Sequence, residues 1–275
     1  MYKASVIIAF YNKIDYLRLV FAGLERQVEK GFEVIIADDG SSTDVVKKLK
    51  GLISQANFDV QHIWHEDQGW RKNIILNKSI VVSKSDQLIF MDADCIPHKR
   101  FVEEHIKNKK SKTILTGRRA NLSEEVSKNL TYEKVKNGSL ERLWFRIFMD
   151  SIVGKVRHAE KAIYVKNTFL RKRIQKKEAA ILGCNFSMNK SDLLCLNGFD
   201  ERYLEPAVGE DTDIELRARQ GGLKLLSINY MAIQFHLFHK TLQRGTVNSK
   251  ILEENRKNQI IFTPHGIKKK PSSME

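Results

Sequence analysis

Five short apolar runs, at 4–10, 32–37, 60–64, 88–91 and 113–116, are separated by amphipathic stretches near 14–28, 43–55, 71–83 and 98–109. This alternation is the pattern of strands interleaved with helices, an α/β fold with a mostly parallel, Rossmann-like central sheet flanked by helices. Four of the runs lead into polar residues: Tyr11-Asn12, Asp38-Asp39-Gly40, Glu66-Asp67 and Asp92-Ala93-Asp94. In open α/β sheets ligands bind beyond the carboxyl ends of the strands, so a site is expected where these ends converge.

Residues 122–178 break the rhythm: they are helix-prone and basic, and contain the apolar stretch 143–149. Beyond them the pattern predicts a strand over 179–188, a short helix over 190–196 and a turn at Asn197-Gly198-Phe199-Asp200. A helix follows over 210–220, stopped by Gly221-Gly222, then a last strand over 223–238 and a polar tail.

The net charge of +14 favours anionic partners: nucleic acid, phosphorylated small molecules or an anionic membrane face. Between 155 and 177 nine cations stand against Glu160 alone, and Lys268-Lys269-Lys270 adds a second run. No nucleic-acid-binding module or interleaved aromatic platform accompanies them, so nucleic acid is not the expected partner. The basic stretch, preceded by the apolar 143–149 segment, fits peripheral contact with a membrane. Cys95, Cys184 and Cys195 show no metal or redox spacing and are expected to be small buried residues in a reducing cytoplasm. The first residues enter a strand pattern without a signal-peptide layout, and no apolar run has membrane-spanning length.

Asp92-Ala93-Asp94 follows a buried strand directly. Residues two apart on an extended segment project to the same side, so both carboxylates are expected to approach one point. Two hard anionic ligands suit Mn²⁺ or Mg²⁺, which would also bind the oxygens of a pyrophosphate. In Asp38-Asp39-Gly40-Ser41-Ser42-Thr43-Asp44 one carboxylate could accept hydrogen bonds from a nucleobase or ribose; the same residues also serve as turn and capping chemistry.

Gly209-Glu210-Asp211-Thr212-Asp213 opens a helix, where the dipole favours carboxylates and the ionised form that a general base needs. His236-Leu237-Phe238-His239 ends the last strand and offers an imidazole as third metal ligand. On a regular strand His236 and His239 cannot point the same way, so one at most is expected at the metal. Arg71 or Lys72, at a helix start, could meet phosphate oxygens.

In this order the stretches resemble the family 2 glycosyltransferases. Ser5-Val6-Ile7-Ile8-Ala9-Phe10-Tyr11-Asn12 looks like that family's first nucleotide-binding strand, and Val34-Ile35-Ile36-Ala37-Asp38-Asp39-Gly40-Ser41 like its acidic second strand. Glu66-Asp67-Gln68-Gly69-Trp70-Arg71 followed by Asn77 is similar to its E-D-x-G-aromatic-R and later Asn, and Asp92-Ala93-Asp94 to its metal-binding D-x-D. Residues 183–188, 197–201 and 209–211 resemble a region shared with family 7 galactosyltransferases and chondroitin-polymerase-like enzymes. Leu204-Glu205-Pro206-Ala207-Val208 lacks the Trp-Gly of those galactosyltransferases, so acceptor preference does not carry over.

The resemblance implies a GT-A fold and an inverting transfer from a nucleotide sugar, a UDP-sugar, to a saccharide or lipid-linked saccharide hydroxyl in polysaccharide or lipopolysaccharide synthesis. It implies Asp211 as base with Glu210 beside it. Phe10, Tyr11, Asn12, Asp38, Asp39, Gln68, Trp70, Arg71, Asn77, Asp92 and Ala93 would stand around the donor. Asp94, Asp92 and His236 or His239 would hold the metal. On this reading 1–240 is one catalytic domain: a donor half at 1–121, a basic helical insertion at 122–178 and an acceptor half at 179–240, with a basic tail at 241–275. Two rival readings are a nucleic-acid-binding protein and a sugar nucleotidyltransferase; the latter would show a Gly-rich phosphate loop after the first strand, where Phe10-Tyr11-Asn12-Lys13 stands.

Overall fold

The structure, a computed structural model, describes residues 1–154, 156, 158–175, 180–206, 209–240 and 247–269. Lys155, Arg157, Lys176, Lys177, Ala179, Ala207, Val208 and Lys270, which figured in the sequence expectations, lie outside them.

The first half follows the alternation: β1 (Ala4–Phe10), α1 (Ile14–Glu25), β2 (Phe32–Asp38), α2 (Thr43–Ser54), β3 (Asp59–Trp64), α3 (Lys72–Val82), β4 (Gln87–Asp92), β5 (Cys95–Pro97), α4 (Phe101–Lys107), β6 (Thr113–Thr116) and β7 (Arg118–Asn121). The basic region forms α5 (Glu124–Asn129), α6 (Tyr132–Lys136), α7 (Ser139–Arg142), α8 (Trp144–Ile152), a 3₁₀ turn (Ala159–Ala162) and α9 (Thr168–Gln175). Then come β8 (Phe186–Asn189), α10 (Lys190–Cys195), α11 (Glu210–Gln220), β9 (Lys224–Ser227), β10 (Ile233–His236) and α12 (Val247–Lys257).

The main sheet has the order β3-β2-β1-β4-β8-β6-β9. All neighbours are parallel except β8, which runs antiparallel between β4 and β6. Alternation along β1 sends Val6, Ile8 and Phe10 into one apolar layer and Ile7 into the other, so both faces of the sheet are covered. That is why its inner strands read as unbroken apolar runs. Phe10 pairs with Asp38 and Ala9 with Asp92, which brings the carboxyl ends of three strands level. A smaller sheet, β5-β10-β7, sits beside these ends.

Several expectations are corrected. The strand expected over 179–188 is confined to Phe186–Asn189. Upstream of it, the amides of Ile181 and Gly183 donate to the Glu215 and Asp211 carboxylates of α11 rather than to a neighbouring strand. The strand expected over 223–238 is two strands in different sheets, separated by a turn in which Tyr230 takes a φ of 64°. Cys195 is exposed, while Cys95 and Cys184 are buried.

The basic region packs into the body of the protein. Val135, Leu140 and Ile147 join the same apolar layer as Leu17 and Val20, and Arg26 grips Glu141 with two guanidinium nitrogens at 3.0 and 2.7 Å. The expected tail is folded as well. Asn197, in the left-handed region at φ 65°, donates to the carbonyls of Thr263 and Lys268 and accepts from the Lys268 amide. These are polar contacts, invisible to hydrophobic periodicity.

Candidate active site

The acidic end of β2 is held by a dense set of hydrogen bonds. Asp38 is fully buried; it accepts from the Ser41 amide at 2.9 Å and faces His62 Nε2 at 2.9 Å. Asp39 faces His65 Nε2 at 2.7 Å and accepts from the Arg71 amide at 3.0 Å. Burial pushes the Asp39 carboxyl above its ordinary range despite the His65 contact. Gly40 has φ 95°, and a Cβ there would stand 2.6 Å from the Asp67 backbone, so the turn requires glycine. Asn12, at φ 56°, accepts from Ser42 through its side chain and donates its amide to Ser41 Oγ. Tyr11 is exposed and donates to Asp67 at 2.8 Å.

These bonds tie three loops into one surface from which Tyr11, Trp64 and Gln68 project, with Trp70 and Arg71 half-buried. Some expected donor contacts point elsewhere. The Phe10 side chain lies in the core, as β-strand alternation dictates. Asn77 is buried and spends its amide on the Phe199 backbone in both directions. The Asp38 carboxylate is used up inside the turn, leaving Asp39 nearer the open face.

Beyond β1 and β4 a cavity is lined by Ala9, Lys72, Asp92, Gly183, Glu210 and Asp211. Lys72 Nζ bridges Asp92 Oδ1 at 3.2 Å and Glu210 Oε2 at 2.8 Å, and Trp70 Nε1 donates to Glu210 Oε1 at 3.1 Å. Burial works against the Lys72 charge, but the two carboxylates hold its ammonium well above the ordinary lysine value. Burial, with Asp92 and Asp211 nearby, pushes Glu210 up, and Lys72 offsets part of this. Asp211 Oδ2 accepts from the Gly183 amide at 2.8 Å.

The start of α11 is fixed sterically. Gly209 has φ 105°, and a Cβ there would overlap the Tyr203 ring. Two turns on, the fully buried Arg217 pairs with Asp213 at 2.7 Å and donates to the carbonyls of Leu196 and Gly198. Behind the cavity, Phe90 stacks on Phe186 at 4.6 Å and meets Phe199 edge-on at 5.5 Å. Such aromatic pairs contribute about 1 kcal/mol each beyond their burial.

The expectation that Asp92 and Asp94 meet at one point through strand alternation does not hold. β4 ends at Asp92 and Ala93-Asp94 is a turn, so Asp92 faces Lys72 while Asp94 turns toward β10. The expectation that His236 and His239 cannot point the same way is also corrected. The strand ends at His236, the chain bends, and His239 returns: Asp94 Oδ2 lies 3.6 Å from His236 Nε2 and 3.1 Å from His239 Nε2, with 3.1 Å between the imidazole nitrogens.

Those three edges match one face of a divalent-cation site, since bonds of about 2.1 Å at right angles put ligand atoms about 3.0 Å apart. A carboxylate and two imidazoles also suit Mn²⁺. Cys95 Sγ groups with Asp94 and His236 within 4.8 Å. Burial keeps its thiol protonated, which makes it the poorest donor of the set. Burial would raise the Asp94 carboxyl, but the two imidazoles hold it well below the usual range. Hydrogen bonding to Asp94 raises His239. His236 Nδ1 meets Asn121 Oδ1 at 3.2 Å, the second contact that orients a metal-binding imidazole.

Residues to which the sequence assigned no site role include His62, His65, Cys95, Arg119 and Asn121. Arg119 reaches Cys184 Sγ at 3.6 Å and Cys95 Sγ at 4.0 Å, beside the same cluster. The i, i+3 spacing of His62 and His65 at the tip of β3 was a readable signal; Arg119 and Asn121 carried none, because only the β7–β10 pairing brings them near.

The profile of Glycosyl transferase family 2 matches residues 5–194. The glycosyltransferase YfnE of Bacillus subtilis is 35% identical over 107 residues, 38% of this chain and 26% of that relative. Such curated relatives are matched over about a third of their length or less. Among solved structures, GalNAc-T7 with UDP, GalNAc and Mn²⁺ is similar with a TM-score of 0.61 and 17% identity, covering 91% of this chain and 47% of that one. The mannosyltransferase PcManGT of Pyrobaculum calidifontis, with GDP-Man and Mn²⁺, gives 0.56 and 14%, covering 94% and 62%. These likenesses make the fold GT-A.

Proposed function

The chain belongs to Glycosyl transferase family 2, and we propose that it is a metal-dependent, inverting enzyme that moves a sugar from a UDP-sugar to a hydroxyl of a saccharide or lipid-linked saccharide in surface-polysaccharide assembly. The observation that carries this reading is the cavity shared by Asp92 and Asp211, which are far apart in the chain, with Asp94 two residues on from Asp92 and turned toward the histidines of the β10 end.

Residues 1–121 supply the donor side. Tyr11 and Asp39 stand where a nucleoside would lie, with Trp70 and Arg71 toward the diphosphate. Asp94, His236 and His239 would hold Mn²⁺ or Mg²⁺. Such an ion neutralises the charge that develops on the diphosphate leaving group. Asp92 is reassigned from metal ligand to partner of Lys72, on the sugar side of the cavity.

Asp211 is the general base. Its Oδ2 is oriented by the Gly183 amide at 2.8 Å, its Oδ1 accepts from the Thr212 amide at 2.8 Å, and it opens α11. An acceptor hydroxyl between Asp211 and the sugar would lose its proton to this carboxylate while its oxygen attacks the anomeric carbon on the face opposite the diphosphate. That order of groups inverts the carbon. Lys72, clamped by Asp92 and Glu210, offsets one of the two negative charges on that cavity wall and engages an oxygen of each carboxylate, whereas Asp211 has no cation on it among the described residues.

A panel of nucleotide sugars incubated with the chain and Mn²⁺, read by release of the nucleoside diphosphate, tests the proposal. Metal-dependent release from one UDP-sugar, rising with a saccharide acceptor, is expected. Equal release with and without EDTA, or release by the Asp211→Asn chain at the unaltered rate, would overturn it.

A further inference from the structure

Helix α8 carries an apolar surface that the reaction does not use. Ile147 and Asp150 are buried and fasten one side of the helix, Asp150 accepting from the Ser123 hydroxyl at 2.6 Å. The other side presents Trp144, Phe145, Phe148, Met149, Ile152 and, just past the helix, Val153, with exposures from 40% for Met149 to 63% for Ile152. Positions i, i+1, i+4, i+5 and i+8 form one continuous stripe on a helix, so these side chains share a face. The inner anchors prevent the helix from rolling that face inward.

Of the acids in this region, Asp150 is buried against Ser123, Glu141 is bound to Arg26, Glu125 pairs with Arg146, Glu124 with Lys128 and Glu160 with Lys161. In the segment that follows, Lys166, Lys172 and Arg173 are exposed and form no ion pair among the described residues. The chain as a whole carries +14.

We propose that this face of α8 docks the protein on an anionic lipid bilayer, the helix lying in the interface with its aromatic stripe among the acyl chains and the protein's net positive charge drawn to the lipid phosphates. An exposed Trp and Phe face on a helix of a strongly cationic protein suits the interface of an anionic membrane. A second copy of this chain is disfavoured as occupant, because it would bring another strongly cationic body against the first. Among the described residues no helix is long and apolar enough to cross a membrane, so docking here is peripheral.

Ser123 also connects this surface to the catalytic side. It lies two residues beyond Asn121, which touches His236, and Ser127 of the same helix start accepts from the Phe238 amide at 2.9 Å. Docking itself needs neither donor nor metal, so its test stands apart from that of the transfer reaction.

The test is flotation of the full chain with vesicles of phosphatidylcholine alone and of phosphatidylcholine mixed with phosphatidylglycerol. Capture by the anionic vesicles only, weakened by salt, is expected. The triple variant Phe145→Ser, Phe148→Ser, Ile152→Ser should lose at least about tenfold in capture with an unchanged circular dichroism spectrum. Should that variant fold poorly, quenching of tryptophan fluorescence by brominated lipid decides: quenching in the parent that disappears in Trp144→Phe supports docking. Negligible capture by both vesicles, equal capture by both, full capture of the triple variant, or dimerisation through α8 without lipid binding would each overturn it.

Discussion

The Nε2 atoms of His236 and His239 face each other 3.1 Å apart, and both lie within 3.6 Å of the Asp94 carboxylate. Two imidazole nitrogens at that separation can share one proton at most, and a cation displacing that proton would meet both lone pairs beside the Asp94 carboxylate. The arrangement is drawn together by a strand that stops at His236 and a turn that brings His239 back.

Removing the outer support of this cluster should weaken the metal without touching a ligand. Asn121→Ala deletes the contact to His236 Nδ1. Mn²⁺ affinity is expected to fall about 10- to 100-fold. Titration calorimetry with Mn²⁺ checks this, and an unchanged affinity would mean that Asn121 does not orient the ring.

The proposed base can be separated from donor binding. Asp211→Asn keeps an oxygen to accept from the Gly183 amide, so the fold should survive, while turnover falls about 10²- to 10⁴-fold. Calorimetric binding of UDP with Mn²⁺ should stay within a factor of about two to three of the parent.

The Asp94–His239 pair gives a pH dependence with opposite signs for stability and for metal binding. Asp94 is depressed below its ordinary 3.8 and His239 raised above its ordinary 6.5, so between these two values both partners are charged in folded protein. In the metal-free chain the His239 contribution is fully present below 6.5 and disappears as pH rises through its raised folded value. The Asp94 contribution is present above 3.8 and is lost as pH falls through its depressed folded value. Metal must displace the proton from His239, so Mn²⁺ affinity should increase with pH above 6.5. Thermal melts of metal-free parent and His239→Gln, beside Mn²⁺ titrations at the same pH values, read both trends.

The folded-back carboxyl-terminal segment should be a stability element. Asn197→Ala removes three hydrogen bonds at a residue with φ 65°. A loss of about 3 kcal/mol is expected in urea unfolding. Asn197→Gly, which relieves the backbone strain, should cost about 1 kcal/mol less. Equal stability of all three chains would show that residues 260–269 do not hold the body of the protein.

The parallel core was legible because its strands are covered on both faces and its helices are amphipathic, so hydrophobicity alone marks them. β1 matches the expected 4–10 and β6 the expected 113–116. That acids of the fourth strand's tip and of a late helix start share a cleft was expected from strand ends, for Asp94 and Asp211; the cavity is lined by Asp92 and Asp211, while Asp94 turns to the histidines. The histidine cluster was only half legible, because whether His239 reaches Asp94 depends on where the strand ends, and that end is set by pairing with β5 and β7. Lys72 was read, as an alternative to Arg71, as a cation for phosphate; its two carboxylate partners come from β4 and α11, and no local pattern joins those elements. The packing of Asn77 against Phe199, and of Asn197 against Thr263 and Lys268, rests on amide hydrogen bonds that leave no trace in hydropathy.

Because β10 lies between β5 and β7, with His236 opposite Cys95 on one side and Asn121 on the other, a backbone ladder sets the imidazole's position to within a single pleat. One residue inserted between Ile233 and His236 would therefore turn the ring to the far side of the small sheet, ending contact with Asp94 even though every side chain of the cluster was retained.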